Sequence, residues 1–582
     1  MLNKELAKIF YEIADFLEMD NIQFRPAAYR KVAFVLENLR EDVQDIYLKG
    51  GKQALDKEVS GVGESIADKI EEYIKTGKIK YFSRLKKKTP IDMEKLNAIE
   101  GLGPKRIKIL YQKLGIKTLD DLEKSAKKGE IASLFGFGEK TEKNILEGIN
   151  FLKKSKGRFL LADILPEVQE ITEKLQGLKE TERISVAGSV RRGKETIGDV
   201  DLLVVTKNPE KVMKFFVSLP GVVKVWGRGE TKSSIRLKQG FDVDLRVVPM
   251  KSYGSALQYF TGSKEHNIIT RKLAISKGLK LNEYGVFKQN KMIAGKDEVG
   301  VYNALGIPWM PPELRENQGE IRAAICEAEG KPGGLPKLIE LKDIKGDLHC
   351  HSNWGMGDYS IKELAQIAMS MGYQYLGISD HTKFLRIEKG LNEKQLLAQG
   401  KEIDKLNKDL DKRGLSFRVL KGAEVNILNE GKLDISDNVL ATLDYVIAGI
   451  HSNFKMNQGA MTQRIIRAME NPYVDIISHP TGRIIQKRDE YQIDFEKVLE
   501  TAKKNRIVLE INSYPRRLDL HDRNIRKAKK AGVKMAINSD THYFNQLSFI
   551  KFGVIQARRG WAEKEDIINT WPLEKLLKYF SR

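Results

Sequence analysis

The sequence predicts a chain of several domains: an α-helical N-terminal region with helix-hairpin-helix motifs, an α+β domain with a small following subdomain, and a C-terminal distorted (β/α)7 barrel. A glycine motif repeated in the first 150 residues predicts the helical region. Strands rich in valine and leucine between residues 160 and 250 predict the α+β domain. Seven short apolar runs after residue 341, several of them separated by helical segments, predict the barrel.

The composition indicates a polyanionic partner. Lys and Arg number 100 against 79 Asp and Glu, a net charge of +21, which favours nucleic acid before an anionic membrane surface. The alternative interpretation of the charge is a well-solvated surface on a chain from a hot or salty habitat. The N-terminus resembles no signal peptide, and no apolar run approaches the roughly 20 residues of a membrane span. Only Cys326 and Cys350 occur, which suits the cytoplasm, and we expect a monomer with no membrane partner.

The glycine motif occurs at residues 59–70 ("VSGVGESIADKI"), 99–110 ("IEGLGPKRIKIL") and, more loosely, 134–145 ("LFGFGEKTEKNI"). Each copy predicts a tight turn that points backbone N–H groups outward at a helix N-terminus, which makes a phosphate site that reads no base sequence. Lysine-rich segments such as "SRLKKKTP" (83–90) are expected to connect short helices. The candidate DNA-binding residues here are Gly61, Gly63, Gly101, Gly103 and Lys105.

Three aspartates form the first candidate catalytic site. Asp199 and Asp201 in "GDVDLLV" are two apart on a predicted strand, so their carboxylates share one face with Cα atoms roughly 6 to 7 Å apart. Asp244 in "DVDLRVV" lies on another predicted strand with the same alternation. Three convergent carboxylates favour hard divalent ions such as Mg²⁺ or Mn²⁺, which activate an attacking hydroxyl and stabilise a leaving pyrophosphate.

A triphosphate site is predicted upstream of these aspartates. Gly188 and Ser189 are expected to end a strand, where a backbone N–H and a hydroxyl would hold phosphate oxygens. Either Arg191 or Arg192 would complete the clamp, because guanidinium groups bind phosphate with two parallel hydrogen bonds.

The segments "GSVRRGKETIGDVDLL", "DVDLRVV", "YFTGSKEHN" and "GLKLNEYGVF" resemble the family X DNA polymerases, the DNA polymerase beta family, over residues 1–317. The resemblance implies metal-binding catalytic aspartates at Asp199, Asp201 and Asp244, deoxynucleoside triphosphates as substrates and gapped or nicked double-stranded DNA as partner. Lys264 stands where vertebrate members carry an acid, which adds a possible triphosphate or base contact. The implied nucleotide contacts are Gly188, Ser189, Arg192, Gly198, Tyr259, Phe260, Gly262, Lys264 and Asn267, and Arg271 is the implied template contact.

The N-terminal segment resembles the lyase domain of the same family, which grips the 5′-phosphate side of a gap. Lys69 falls where the family carries its Schiff-base lysine, and that chemistry needs a lysine with a depressed pKa. A neighbouring basic position of the family is Ser65 here. Lys69 is thus either an abasic-site lyase residue or a surface lysine on a DNA-facing helix.

Histidines form the second candidate site. Six of the eight histidines fall at the ends of predicted barrel strands, with Glu424 and Asp540 at equivalent places. The H-x-H and D-x-H pairs put both ligands on one face, and mixed imidazole and carboxylate donors suit zinc, manganese or iron. The set comprises His349, His351, His381, Glu424, His451, His479, Asp540 and His542.

The segments "DLHCHS", "SDH", "GAEVNIL", "GIHSNF", "SHP" and "NSDTH" resemble the polymerase and histidinol phosphatase (PHP) domain over residues 341–582. The resemblance implies that all eight side chains bind about two to three Zn²⁺ or Mn²⁺ ions and that the domain supplies 3′–5′ exonuclease and related phosphodiesterase activity. The family pattern runs toward Asp-Gly where this chain has Met356-Gly357. Either Asp358 reaches in as a metal ligand through a shifted loop, or one ion is held more weakly.

Together these features predict a DNA polymerase that fills short gaps in base excision repair and trims 3′ ends. A polymerase with a structural, silent PHP domain stays open, as do a small-molecule nucleotidyltransferase joined to a phosphatase and a DNA scaffold. The predicted domains are 1–80 (lyase-like), 81–155 (helix-hairpin-helix), 156–250 (nucleotidyltransferase palm), 251–317 (thumb-like nucleotide-selection subdomain), 318–340 (linker) and 341–582 (PHP).

Overall fold

A computed structural model of the chain describes residues 2–39, 42–59, 61–97, 99, 102–155, 157–543 and 545–581. Gly101, a predicted DNA-binding residue, lies outside the described residues. The described chain divides into two structural units. The first contains residues from 1–156, 483–489 and 543–545, and the second contains residues from 157–482, 490–542 and 546–582. None of the helices in the described part is long and apolar enough to cross a membrane.

The first unit is helical. Its helices are α1 (Leu2–Met19), α2 (Arg25–Asn38), α3 (Val43–Glu58), α4 (Glu64–Thr76), α5 (Lys80–Lys88), α6 (Met93–Asn97), α7 (Pro104–Leu114), α8 (Leu119–Lys127) and α9 (Glu139–Ser155). Gly63 and Gly103 are the N-cap residues of α4 and α7, so these two glycine motifs end at helix N-termini as predicted. The expectation that "SRLKKKTP" is a connection was wrong: residues 83–88 belong to α5, because Tyr81, Phe82 and Leu85 pack on the apolar core.

The second unit begins with the α+β domain. Its elements are β1 (Phe159–Leu160), α10 (Leu161–Gln176), β2 (Thr181–Val186), α11 (Gly188–Arg191), β3 (Thr196–Ile197), β4 (Asp199–Thr206), α12 (Pro209–Val217), β5 (Val222–Arg228), β6 (Lys232–Leu237) and β7 (Asp242–Val247). Five strands form a sheet in the order β2-β4-β7-β6-β5, in which only β4 and β7 pair in parallel. Gly188 and Ser189 were expected to end a strand, and this expectation was wrong: they are the first two residues of the helical turn α11.

The small subdomain that follows contains a sheet that was not predicted. Its elements are α13 (Tyr253–Thr261), α14 (Lys264–Ser276), β8 (Leu279–Asn282), β9 (Gly285–Lys288), β10 (Lys291–Ala294), α15 (Glu298–Ala304) and α16 (Glu320–Ala328). The sheet has the antiparallel order β10-β9-β8. Its four-residue strands carry little of the alternation by which strands are recognised in a sequence.

The C-terminal region is the predicted distorted barrel of parallel strands. Its elements are β11 (Gly346–Cys350), α17 (Ile361–Ser370), β12 (Tyr375–Ile378), α18 (Glu393–Lys412), β13 (Arg418–Lys421), β14 (Glu424–Asn426), α19 (Asp437–Leu440), β15 (Ile447–Gly449), α20 (Gln458–Met469), β16 (Ile476–Ile477), α21 (Phe495–Asn505), β17 (Val508–Asn512), α22 (Asp522–Ala531), β18 (Met535–Asn538), α23 (Ile550–Arg559) and α24 (Leu573–Phe580).

The barrel strands lie in two parallel sheets, β11-β12-β13 and β14-β15-β16-β17-β18. The third predicted run, "RVLKGAEVN", forms two strands, β13 and β14. The strand is interrupted at Gly422 and Ala423, and the Tyr445 ring packs against Gly422. Single parallel bridges, Cys350 with Thr541 and His381 with Glu424, join the two sheets at their ends. His349 lies near the end of β11 and Glu424 begins β14, whereas the other histidines of the set and Asp540 follow the carboxyl ends of strands.

Candidate functional sites

The three aspartates lie together on the two parallel strands of the palm sheet. Asp201 on β4 stands directly opposite Asp244 on β7, and Asp199 lies two residues earlier on the same face of β4. Burial, followed by the negative charges of Asp199 and Asp244, raises the pKa of Asp201 to about 6. An array whose members repel one another in this way is the environment that a divalent cation neutralises.

Neighbouring groups fix this array in place. Asp244 accepts a 2.5 Å hydrogen bond from the Ser234 hydroxyl and lies 2.8 Å from the Lys232 ammonium. Gly188 has a φ of 61°, and a Cβ there would lie 2.3 Å from Asp201 Oδ2. Only glycine therefore lets the first turn of α11, with Ser189, lie against the carboxylates.

The two arginines after Ser189 have different surroundings. Arg191 donates to both carboxylate oxygens of Glu298, at 2.8 and 2.7 Å, and to the Thr261 hydroxyl at 2.7 Å. Arg192 donates to Glu316 at 2.9 Å and to the Thr261 carbonyl oxygen. Both arginines thereby tie the segment after Ser189, where a triphosphate site is predicted, to Thr261 at the end of α13, which Gly262 follows.

Five of the residues predicted to contact the nucleotide or the template lie on α13 and α14: Tyr259, Phe260, Lys264, Asn267 and Arg271. Asn267 donates to the Tyr259 carbonyl at 2.7 Å, and the Arg271 guanidinium lies 5.1 Å from the centre of the Tyr259 ring. Phe260 faces the guanidinium of Arg246 on β7 at 4.4 Å, which brings the end of α13 beside the aspartate strands. Lys264 is exposed at the first position of α14, and Gly198 immediately precedes β4.

Lys69 lies on α4 in a half-buried aromatic setting. Its ammonium donates to the Ser65 carbonyl at 2.7 Å and to the Ser65 hydroxyl at 2.9 Å, and it lies 5.4 Å from the Tyr81 ring centre. Burial, followed by the nearby charge of Arg25, lowers the pKa of Lys69. Gly61, Gly63, Gly103 and Lys105 are all exposed, at or just before the N-termini of α4 and α7.

The barrel gathers its histidines and carboxylates into one buried cluster. Three groups each have ligand atoms within 4.8 Å of one another. They are His351, His381 and His542; His349, His351 and Asp540; and His381, Glu424 and His451. His479 joins the cluster through Glu424, whose Oε1 lies 3.0 Å from His479 Nε2. Six of the eight predicted side chains are buried, and those of His451 and His542 are half-buried.

The donor set of this cluster fits metal ions. Buried atoms without a hydrogen-bond partner converge here: His349 Nε2, His351 Nε2, His381 Nδ1, Glu424 Oε2 and His451 Nε2. An unsatisfied buried polar atom is costly, so a group of them facing one another indicates a ligand that completes them. Burial opposes ionisation of Glu424, but His349 and His381 outweigh it and hold the pKa of this carboxyl well below its usual value.

Supporting groups that orient these ligands were not predicted from the sequence. His349 Nδ1 lies 2.7 Å from Glu510, and His451 Nδ1 lies 2.8 Å from the Asn426 side-chain oxygen. Such contacts fix the ring orientation and leave the other nitrogen free for a metal. Asn426 is the last residue of β14, and Glu510 lies two residues before the end of β17, so an acid or amide within the last residues of a barrel strand was the available signal.

Asp358 lies at the edge of this cluster. Its backbone N–H donates to the His542 carbonyl at 2.8 Å, and its side chain is exposed. Among the described residues, the three groups of potential ligands do not include it. Its predicted role as a metal ligand stays a prediction.

Five family models match the chain. A helix-hairpin-helix domain matches residues 1–79, and a SAM-like helix-hairpin-helix tandem matches 93–150. The DNA polymerase beta palm matches 164–224, the DNA polymerase beta thumb matches 256–316, and the PHP domain matches 347–514. The fold and these matches define a class: a polymerase of the beta type followed by a PHP domain.

The relatives place the chain more narrowly. It is 36% identical over 588 residues, with complete coverage of both chains, to "DNA polymerase/3'-5' exonuclease PolX" of Bacillus subtilis (strain 168). It is 36% identical over 166 residues, 26% of this chain and 64% of the relative, to a "probable phosphatase" of Thermoanaerobacter sp. (strain X514). It is 24% identical over 355 residues, 54% of this chain and 62% of the relative, to DNA polymerase lambda of Arabidopsis thaliana. The chain belongs to the family X DNA polymerases that carry a C-terminal PHP domain.

Proposed function

We propose that this protein is a DNA polymerase that fills short gaps during base excision repair and trims 3′ ends with its PHP domain. The observation that carries the proposal is the presence of two separate sites in one chain. One is a carboxylate array on β4 and β7, and the other is a buried histidine and carboxylate cluster in the barrel. The sequence match to a relative named for both activities spans the whole chain.

In the polymerase half, the side chains orient the reactants. Mg²⁺ or Mn²⁺ held by Asp199, Asp201 and Asp244 would activate the primer hydroxyl and neutralise the leaving pyrophosphate. Ser189 and the backbone of α11, opposite these aspartates, would receive the triphosphate with Arg192 and Gly198. Tyr259, Phe260 and Gly262 would lie along the sugar, and Asn267 and Arg271 would contact the base and the template.

The first unit would hold the DNA. Exposed N-termini follow Gly63 and Gly103, and Lys105 adds a cation in the first turn of α7. Backbone N–H groups bind phosphates without reading bases, so binding should be insensitive to sequence and should weaken steeply with salt. We propose a monomer acting on gapped or nicked duplex in the cytoplasm, a location that its two free cysteines suit.

In the PHP half, Zn²⁺ or Mn²⁺ held by the eight barrel ligands would activate water against the terminal phosphodiester. The contacts of Glu510 with His349 Nδ1 and of Asn426 with His451 Nδ1 support this role, because they fix one nitrogen of each ring and leave Nε2 for a metal. The alternative of a silent, structural PHP domain is not favoured, because the donor atoms of the ligand set converge and six of its eight side chains are buried.

The direct test is extension of a primer across a short gap in duplex DNA with four deoxynucleoside triphosphates and Mg²⁺ or Mn²⁺. A parallel reaction without nucleotides measures shortening of the 3′ end. We expect both activities in one preparation. Failure to extend the primer with either ion would refute the polymerase proposal, and failure to shorten it with Mn²⁺ or Zn²⁺ would refute the exonuclease.

A second proposed activity is processing of abasic sites by Lys69, which its lowered pKa and half-buried setting support. The neutral amine would attack the sugar aldehyde and lose water to form an imine. Borohydride should then trap the protein on DNA with an incised abasic site. The variant Lys69→Ala should abolish trapping, whereas Lys75→Ala, an exposed lysine of the same helix paired with Glu71, should not. Equal trapping by both variants would exclude Lys69 as the nucleophile.

A further inference from the structure

The last long helix of the barrel, α23, packs against the nucleotide-binding part of the polymerase. Gln556 donates to Glu195 at 2.6 Å, and Arg558 donates to Glu313 at 2.7 Å. A Cβ on Gly193 would lie 2.3 Å from Ile555, so the loop after Arg192 fits closely on this helix. The PHP domain and the triphosphate segment therefore share a packed surface.

Arg559, at the end of α23, is the central residue of this surface. It is 2% exposed, and its guanidinium donates to the Arg192 carbonyl at 2.9 Å and to Glu316 at 3.1 Å. Its other terminal nitrogen donates to Asp522 on the barrel. The same Glu316 oxygen accepts the 2.9 Å hydrogen bond from Arg192. Arg559 thus touches both the backbone of Arg192 and the carboxylate that holds its side chain.

We propose that Arg559 is a positioning residue for the incoming nucleotide, so that the PHP domain forms part of the support of the polymerase's triphosphate site. The inference rests on the proposed role of Arg192 as a triphosphate contact. Arg559 does not itself touch the nucleotide; it acts through Glu316 and the Arg192 backbone.

Charge balance explains why this contact matters. Glu316 is shared by three cations: Arg192, Arg559 and Lys194, whose ammonium lies 3.7 Å away. Arg559 neutralises part of the negative charge of Glu316. Arg192 is therefore held less strongly by Glu316, and its guanidinium can also attract a phosphate. Without Arg559, the half-buried Glu316 would bind Arg192 more tightly, because a carboxylate largely removed from water needs a cationic partner. Arg192 would then be drawn away from the triphosphate.

The test is the KM for deoxynucleoside triphosphates in gap filling by the full-length protein. Arg559→Lys keeps the charge but cannot reach Asp522, Glu316 and the Arg192 carbonyl together. We expect it to raise KM by about tenfold, with kcat and exonuclease activity within about twofold of wild type. The matched control is Arg558→Lys, the adjacent arginine, which bonds to Glu313 and the Ile339 carbonyl and should leave KM unchanged.

A double variant separates positioning from general stability. Arg192→Lys alone should raise KM, and adding Arg559→Lys to it should raise KM no further, because the second residue acts through the first. An unchanged KM in Arg559→Lys, or an equal rise in the Arg192→Lys background, would overturn the proposal. If Arg192→Lys itself leaves KM unchanged, the triphosphate role of Arg192 is refuted and this inference with it, even where gap filling persists.

Glu316→Gln gives an independent measurement that leaves the barrel sequence intact. It removes the charge that Arg192 and Arg559 share, and we expect KM for the nucleotide to change by several-fold while exonuclease activity stays within about twofold. If Arg559→Lys fails to fold, as judged by loss of both activities, this variant decides: an unchanged KM would overturn the proposal.

Discussion

The two candidate metal sites of this protein are built on neighbouring parallel strands but differ in how much of the coordination the protein supplies. On the palm sheet, three aspartates stand on one face of β4 and β7, and Asp199 is exposed. In the barrel, eight side chains from several strands converge, and all except the half-buried His451 and His542 are buried. An ion at the palm site would therefore keep coordination positions for the substrate, whereas ions at the barrel site would be nearly enclosed by protein ligands.

The difference follows from the chemistry that each site serves. A nucleotide brings its own phosphate oxygens, so a polymerase site needs few protein ligands and must stay open. A hydrolytic site must hold its ions between turnovers, so it gains from many imidazole donors and from supporting contacts. We therefore expect ions to exchange freely at the aspartates and to remain bound at the histidines.

The largest expected effect is the separation of the two activities. Replacing Asp199 and Asp201 by Ala should lower primer extension by about a thousandfold or more and leave exonuclease activity unchanged. Replacing His349 and His351 by Ala should do the reverse. Both rates are measured on the same gapped duplex. Loss of both activities in either double variant would contradict two independent sites.

Metal removal should separate the sites next. After gel filtration in metal-free buffer, elemental analysis should find about two to three tightly bound ions per chain in wild type. The Asp199 and Asp201 double variant should keep these ions, and the His349 and His351 double variant should lose them. Stripping the ions with a strong chelator should also lower the midpoint of thermal unfolding, because bound metal stabilises the fold. Equal metal content in all three proteins would refute an enclosed barrel site.

A smaller effect is expected from the support of one barrel ligand. Glu510→Gln keeps the size of the side chain but weakens the 2.7 Å contact to His349 Nδ1. We expect a 10- to 100-fold loss of exonuclease activity or metal affinity, with primer extension unchanged. Glu496→Gln, an exposed glutamate on α21, is the matched control. Wild-type exonuclease activity in Glu510→Gln would show that this carboxylate does not orient a ligand.

Much of the fold was predictable because its patterns are strong. The repeated glycine turns, the D-x-D strand and the polar endings of the barrel strands each predict an element that the structure contains. The sheet β8-β9-β10 was missed because its strands are four residues long. The lysine-rich helix α5 was missed because its few apolar residues face the core among many charges.

The candidate sites were predictable where the chemistry of a residue is unusual, and not where an ordinary residue acts through a neighbour. Asp201 and His349 carry their chemistry in the sequence itself. Glu510 and Arg559 belong to residue types that occur throughout the sequence, and only their tertiary contacts distinguish them from other charged residues. The pairing of Glu316 with Arg192 is likewise fixed by packing across 124 residues of sequence.

Repulsion among the three palm aspartates predicts how the free energy of unfolding depends on pH. The pKa of Asp201 is raised from 3.8 to about 6 in the folded protein. As pH rises, the Asp201 carboxyl therefore loses its proton at a lower pH in the unfolded state than in the folded state. The folded protein then loses stability between about pH 4 and pH 6, by on the order of 2 to 3 kcal/mol at neutral pH without metal. Asp201→Asn should remove this cost, so its gain in free energy of unfolding over wild type should grow across that range.

Asp242, on β7, has a pKa shifted in the opposite direction, so its contribution to stability changes with pH in the opposite sense. Its hydrogen bond from Arg236 lowers the pKa of Asp242 below 3.8, so it contributes stability above that pH that is lost as pH falls through its folded pKa. Asp242→Asn should therefore destabilise the protein at neutral pH. Denaturant unfolding of metal-free protein at several pH values measures both variants. A pH-independent difference for Asp201→Asn would refute the raised pKa.

The smallest expected effect concerns Asp358, where the enclosed site meets solvent. Its backbone bonds to the His542 carbonyl, and its carboxylate is exposed, so as a ligand it would hold only the outermost ion and only weakly. We expect Asp358→Asn to lower exonuclease activity by about fivefold at low Mn²⁺ and to regain it at high Mn²⁺. Asp409→Asn, an exposed aspartate on α18, should change nothing at either concentration. Activity of Asp358→Asn equal to wild type at every Mn²⁺ concentration would mean that this carboxylate binds no ion and that Met356 marks a lost ligand.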